Sequence, residues 1–329
     1  MYKRYPDIVV DGVVAAVPGN FVENSKYAEW IDPRMISRQS KLTGVNSRYL
    51  ASQNTVLSDL LVPTAKDLMS KRTVDKNDIK VLVVVTETPD YVIPATANNI
   101  QKQLGIPEEC LCIDINQGCG GAAVGIQVLC SLLAGQPSGT QGLLLMGNVI
   151  HDFSEEEREN PDTILNQMIY GAGVAAVIFK VVDEAEPVIC ETLSYGNFVD
   201  SIYQKKDGSA VNEALQVVDF IYDIWAPEFR EFLKKTGNDV DFYLLNQSQK
   251  MIMDTMMKSA GIEEGKALFS IQKFGDTYSA SPFITLCYNR ESLGKGTNRM
   301  LLAVSGSGMT CGFARLDIAS DYIFELLYL

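Results

Sequence analysis

Asp114-Ile115-Asn116-Gln117-Gly118-Cys119-Gly120-Gly121-Ala122-Ala123-Val124-Gly125-Ile126 is the stretch from which the fold can be read. A β-branched run ends at Ile115, small residues make a turn, and an amphipathic helix begins with Cys119 at or near its start. Unpaired N–H groups and the positive end of a helix at that point favour a thiolate and can bind the oxygen of an attacked thioester. Glycines on both sides let a substrate approach the sulfur. A glycine-flanked cysteine alone is more often structural than nucleophilic, so its meaning depends on what surrounds it.

On either side of it, Ile8 to Val17, Ile79 to Thr86, Leu111 to Ile115, Gly142 to Gly147 and Val174 to Val182 read as buried strands. Helical patterns at Thr55 to Lys71, Ala95 to Leu104 and Gly121 to Ala134 alternate with them. The second half repeats the plan, with strands at Pro187 to Ser194, Val240 to Asn246, Ala267 to Ile271, Met300 to Ser305 and Gly312 to Leu316. Helices at Glu213 to Thr236, Gln249 to Ala260 and Ser279 to Glu291 separate these. Two similarly ordered βα sets predict an α/β protein with an internal duplication, the join lying near residues 183 to 187. The expected halves are 1–183, carrying Cys119, and 184–329. The acidic run Glu155 to Glu159 reads as a solvated loop, and Gly139 to Gln141 and Lys205 to Gly208 read as turns.

The chain has 329 residues, 47% hydrophobic and 21% charged, enough to bury the core of a two-lobed globular protein. Asp7 and Asp11 interrupt the N-terminal apolar run, and no segment approaches the ~18 to 20 apolar residues of a membrane span. A cytoplasmic protein is expected. The seven cysteines then read as reduced thiols, and with one histidine and no second cysteine pair Cys110 and Cys112 read as part of a buried strand, so no metal is expected. A net charge of −13 opposes attraction to nucleic acid or an anionic membrane. It still permits a local basic patch that meets an acidic carrier.

Several stretches besides the one around Cys119 resemble the thiolase superfamily, and most closely ketoacyl-acyl carrier protein synthase III. Thr43-Gly-Val-Asn-Ser-Arg48-Tyr resembles the family's Thr-Gly-Ile-Arg-Glu-Arg-His segment. Thr86 to Ala97, with Pro94, resembles the loop that reaches the partner subunit's pocket. Tyr170-Gly-Ala-Gly-Val-Ala-Ala-Val resembles an Asp-Gly-Ala-Gly-Ala-Ala-Val strand, and Ser305-Gly-Ser-Gly308-Met-Thr-Cys-Gly resembles the C-terminal Phe-Gly-Gly-Gly-Phe-Thr-Trp-Gly turn. The matches run in order from residue 43 to residue 316.

The resemblance implies a thiolase-like fold, in which two duplicated βαβαβαββ halves form a five-layered αβαβα core. It implies a homodimer whose central sheets join across a two-fold axis, with the residues before Pro94 helping to close the partner's acyl pocket. It also implies an acyl group carried on Cys119, delivered as a thioester of coenzyme A or of acyl carrier protein phosphopantetheine, with no permanently bound cofactor. The backbone N–H groups of Cys119 and Gly308 would form the oxyanion hole. Arg38 and Lys41 could meet phosphates, and Lys250 and Lys258 a carrier's phosphopantetheine or acidic face.

Two departures change the expected chemistry. The family's His-Gln-Ala-Asn and His-Gly-Asn-Thr segments read Asn246-Gln-Ser-Gln and Phe274-Gly-Asp276-Thr here, so a Cys, His, Asn set becomes Cys119, Asn246 and Asp276. Decarboxylative condensation generates an enolate that needs donors, and an ionised Asp276 can only accept. A carboxylate is a suitable base for deprotonating a hydroxyl, amine or thiol that attacks an acyl-cysteine. The expected function is therefore acyl transfer through Cys119, in a specialised fatty-acid, polyketide-type or acyl-transfer pathway, with condensation in question. The alternative is a catalytically degenerate subunit that supports an active homologue in a heterodimer. His151 reads as a loop residue, Glu87, Asp90 and Tyr91 as candidates in the loop that could supply a base across a dimer, and Cys311 as a packing cysteine rather than a second thiolase nucleophile.

Overall fold

The computed structural model describes residues 1–205, 210–237 and 239–329. Two sheets organise it. The first has six strands in the order Leu327–Tyr328, Ile8–Val17, Gly173–Val181, Gln141–Asn148, Ile79–Val85, Leu111–Ile115. The second has five, in the order Tyr2–Tyr5, Val188–Ser194, Thr310–Ala319, Thr297–Gly306, Phe242–Leu245.

Strand Ile79–Val85 shows why these sheets are buried on both faces. Its β-branched run sends Val81, Val83 and Val85 into one apolar cluster and Leu82 and Val84 into another, which is the pattern of a covered parallel strand rather than of one facing water. Helices Gly121–Leu133 and Ser281–Tyr288 fill the layer between the two sheets, through residues such as Ile126, Leu129, Phe283 and Ile284. Burying each such side chain contributes about 1.5–3 kcal/mol. Leu57–Lys71 and Thr96–Leu104 cover the outer face of the first sheet, and Ala226–Thr236 and Lys250–Ala260 that of the second. The layers thus run αβαβα, as expected of a thiolase-like fold.

The sheets exchange termini. Tyr2–Tyr5 pairs with Val188–Ser194 in the second sheet, and Leu327–Tyr328 pairs with Ile8–Val17 in the first. Segments 1–183 and 184–329 thus each lend a terminal strand to the sheet of the other.

Other expectations shift for local reasons. Ala267 to Ile271 is not a strand: Ala267 makes one bridge to Tyr243, and Ile271–Phe274 is a helical turn. Glu213 to Thr236 is divided by a π-helical segment, Ile221–Trp225, just before Pro227, which has no N–H to continue the ladder. The acidic run is a short helix, Glu155–Arg158, capped by Ser154. Helix Pro33–Thr43 lies where no helix was expected, although Asp32 caps it, Pro33 opens it and Gly44 ends it in the left-handed region. The turn expected at Lys205 to Gly208 falls largely outside the described residues.

Candidate active site

The sharp turn that presents Cys119 follows from its neighbours. Strand Leu111–Ile115 ends, Gly118 takes φ +56°, and a single turn, Gly118–Gly120, leads into helix Gly121–Leu133. A left-handed residue costs little only for glycine. The hairpin between Thr297–Gly306 and Thr310–Ala319 closes over this turn. A Cβ on Gly306 would lie against the backbone nitrogen of Gly120 and 2.7 Å from that of Cys119. Gln117 ties the two together by donating from Nε2 to Thr310 Oγ1 at 2.6 Å. Gly308, at φ +119°, stands in the same hairpin, 3.7 Å from Gln117 Nε2 as measured from where its Cβ would be.

Asn246 follows strand Phe242–Leu245 directly, and its N–H donates to Ala303 O at 3.0 Å. Its neighbour Gln247 is fully buried and fixes the loop. Gln247 Nε2 donates to Leu245 O and Leu268 O, its Oε1 accepts from the N–H groups of Ser270 and Ile271, and its own N–H donates to Ser281 Oγ. Asn246 is 3% exposed; its Nδ2 donates to Ser305 O at 3.4 Å, while its Oδ1 is buried with no partner.

Asp276 is also 3% exposed. Backbone bonds from Gly171 N to Asp276 O at 2.9 Å and from Asp276 N to Ile169 O at 2.8 Å hold it beside Tyr170. Burial pushes its carboxyl up, the Tyr278 N–H pulls it back and the charge of Glu87 raises it again, leaving it at about 7. Burial alone carries Glu87, just past strand Ile79–Val85, to about 7 as well.

These groups converge on the thiol. Burial, then the charges of Asp276 and Glu87, push Cys119 well above the ordinary thiol range, against the opposing pull of its own backbone N–H and of Asn246. The expected thiolate at the start of a helix is therefore corrected. Burial and the two acidic neighbours outweigh the Cys119 N–H and Asn246, and this balance holds the resting sulfur toward the thiol form. Tyr170 and Tyr278 stack beside it, ring centroids 5.1 Å apart at 22°; burial raises both, followed by Asp276 for Tyr170 and by Tyr170 itself and then Glu87 for Tyr278.

Cys119, Asn246 and Asp276 thus come together, with Gly308 in the adjoining hairpin. Arg38, Lys41 and Lys250 do not join them. Arg38 and Lys41 are exposed on helix Pro33–Thr43, in an open groove with Pro33, Arg34, Ser37 and Leu42. Lys250 opens the adjacent helix, its Cβ 3.0 Å from where a Cβ on Gly44 would be, and pairs with Asp254 at 2.5 Å. His151 is engaged elsewhere, with Nε2 3.1 Å from Thr55 O. Glu87, considered above for delivery across a dimer, stands in the site of its own chain. Glu87, Tyr170 and Tyr278 have no role within this site in the sequence reading, and their only signal is position inside the segments compared with the family. Among the described residues no cluster of His, Cys, Asp and Glu could hold a metal, and no helix is long and apolar enough to cross a membrane.

Residues 232–318 match the family model of the 3-oxoacyl-[acyl-carrier-protein] synthase III C terminal. A putative 3-oxoacyl-[acyl-carrier-protein] synthase 3 of Campylobacter jejuni is 25% identical, the alignment covering 99% of this chain and 98% of that protein. The beta-ketoacyl-[acyl-carrier-protein] synthase III of Clostridium perfringens is 26% identical over 92% of this chain and 96% of its own length. The crystal structure of a 3-oxoacyl-(acyl-carrier protein) synthase from Burkholderia xenovorans superposes with a TM-score of 0.90 at 20% identity, covering 100% of this chain and 99% of that one; that likeness concerns the fold.

Proposed function

The chain belongs to the thiolase-like 3-oxoacyl-[acyl-carrier-protein] synthase III family, and on that premise we propose an acyl transferase that works through acyl-Cys119 without decarboxylative condensation. The donor is a thioester of coenzyme A or of acyl carrier protein. One observation carries the reading: beside Cys119 stand an amide, Asn246, and a buried carboxyl held at about 7, Asp276. At neutral pH Asp276 is divided between its acid and its base form, which suits proton transfer.

In the first half-reaction the thiol proton passes to a carboxylate as sulfur attacks the thioester carbonyl. The backbone N–H groups of Cys119 and Gly308 take the developing oxyanion, and the departing coenzyme A or carrier thiolate recovers the proton. In the second, Asp276 removes the proton of an acceptor that attacks the acyl carbon. A malonyl enolate meets the opposite environment, since two acids repel it and one amide replaces two donors. Tyr91, Val92 and Ile93 are 57%, 97% and 85% exposed just before Pro94. An apolar segment so bare fits burial against a second copy of the chain in a homodimer.

Intact-protein mass spectrometry of wild type and Cys119→Ala, after incubation with acyl-coenzyme A and acyl-carrier panels that include malonyl donors, tests the reading. An acyl adduct on wild type alone is expected. No adduct from any donor would replace the enzyme with a subunit that supports an active homologue, and a β-ketoacyl product formed with loss of carbon dioxide would restore condensation.

A further inference from the structure

Glu87, the Tyr170 and Tyr278 stack and the free oxygen of Asn246 have no place in acyl loading, yet they surround the sulfur. Glu87 is held by its N–H, which donates to Asn148 Oδ1 at 3.1 Å. The strand leading to it ends at Val85, whose carbonyl accepts from Ser279 Oγ at 3.4 Å, so Glu87 stands next to the turn bearing Asp276 and Tyr278. Its charge acts on Cys119, Tyr170, Asp276 and Tyr278 alike. None of the ion pairs among the described residues involves Glu87 or Asp276. Independently, Asn246, 3% exposed and acting directly on the Cys119 thiol, keeps a buried oxygen with no donor.

Two carboxyls without a cation and an amide oxygen without a donor, beside the stacked rings of Tyr170 and Tyr278, define what is missing. A ligand that answers all of them brings positive charge and several N–H groups. An ammonium has three donors and no acceptor, whereas a malonyl carboxylate has acceptors only and an alcohol one donor and no charge. Aromatic faces attract cations within about 6 Å of the ring centroid. We propose that the acceptor of the acyl group is an amine, bound as its ammonium by Glu87, Asp276 and Asn246 Oδ1 against Tyr170 and Tyr278, so that the product is an amide. The inference rests on the acyl-Cys119 reading.

The step balances without an outside reactant. The ammonium gives one proton to Glu87. The amine nitrogen attacks the acyl carbon, the C–N bond forms and the C–S bond breaks. The second N–H proton passes through Asp276 to the leaving sulfur and restores the Cys119 thiol, and Glu87 returns its proton to solvent.

The test loads wild-type protein from acyl-coenzyme A, removes the donor, and follows loss of the adduct by intact mass after adding n-butylamine, glucosamine, n-butanol, glucose or malonyl-coenzyme A at equal concentration. The amines should discharge the enzyme roughly tenfold or more faster than the matched alcohols and the malonyl thioester, with amides as products. In Glu87→Gln the ratio of amine discharge to spontaneous hydrolysis should fall roughly tenfold. Alcohols or malonyl-coenzyme A discharging as fast as amines, or an unchanged ratio in a folded Glu87→Gln, would overturn the proposal while leaving acyl-Cys119 intact. Failure to load from any donor would overturn the acyl-Cys119 reading and this inference with it.

Discussion

Asp276 accepts a hydrogen bond from the backbone N–H of Tyr278 at 2.9 Å, in a turn where Tyr278 holds φ at +54°. The side chain of residue i thereby closes onto the backbone of residue i+2, as aspartate and asparagine do in turns. Left-handed backbone at a tyrosine costs roughly 1–2 kcal/mol, which the stack on Tyr170 and the turn bond offset. The same turn keeps the carboxyl buried, and its stability bears a pH signature.

The Asp276 carboxyl moves from an ordinary 3.8 to about 7. Between these values the folded chain holds a proton that the unfolded chain releases, so stability is full at the acid end and falls as pH rises through the window. Full ionisation costs on the order of 4 kcal/mol. Asp276→Asn keeps the acceptor oxygen and cannot ionise. Its melting temperature should therefore gain on that of wild type as pH goes from 5 to 8. A wild-type melting temperature that climbs relative to the variant over that range would refute the buried acid.

The resting thiol offers a second measurement. Burial and the charges of Asp276 and Glu87 raise Cys119, so iodoacetamide should label it slowly at pH 8, since the thiolate is the reactive form. Glu87→Gln and Asp276→Asn should each speed labelling roughly three- to tenfold, because removing either charge lowers the thiol's pKa. Peptide mapping assigns the label against Cys119→Ala. A labelling rate already at its plateau below pH 8 would show a preformed thiolate.

Much of the architecture was legible because hydrophobic runs and glycine turns are local signals. Ile8–Val17 is the buried strand read from sequence, and Leu111–Ile115 has the expected bounds but lies at the sheet edge, Leu111 exposed and the rest half-buried, because no strand pairs with its outer side among the described residues; the small residues after Ile115 signal the turn at Cys119. What escaped depends on tertiary partners. Ala267 to Ile271 looks like a strand, but Gln247 takes up the backbone groups of Leu268, Ser270 and Ile271 that a ladder would use. The state of the thiol escapes for the same reason, since helix position is written in the local sequence whereas Glu87 and Asp276 lie 32 and 157 residues from Cys119. Glu87 and Tyr278 were visible as residues but acquired meaning only when folding brought them to the sulfur.

Gly306 tests the oxyanion geometry without touching an ionisable group. A Cβ there would press on the backbone of Gly120 and sit 2.7 Å from Cys119 N, so Gly306→Ala must displace that backbone while leaving the cysteine side chain chemically unchanged. Loss of one oxyanion donor costs about 10²- to 10³-fold in rate. Single-turnover acylation should fall by that order, while far-ultraviolet circular dichroism remains that of a folded protein. Acylation within a few-fold of wild type would mean that the hairpin does not set the donor position.

Helix Pro33–Thr43 carries Arg34, Arg38 and Lys41 and no acidic residue, in a chain of net charge −13. Arg38 and Lys41 are exposed beside the helix that begins at Lys250, four residues beyond Asn246. A basic face so near the loop bearing Asn246 suits docking of a phosphate-bearing donor, where charge chiefly governs encounter. Arg38→Glu with Lys41→Glu should raise KM for an acyl-carrier donor roughly tenfold, an effect that shrinks at about 0.5 M salt because exposed charges are screened. An acyl-N-acetylcysteamine donor has the thioester but no phosphate, so its kinetics should be much less affected. An equal loss with that donor would mean the helix acts through the fold rather than through docking, and a carrier KM indifferent to both charge reversals would move the docking face elsewhere.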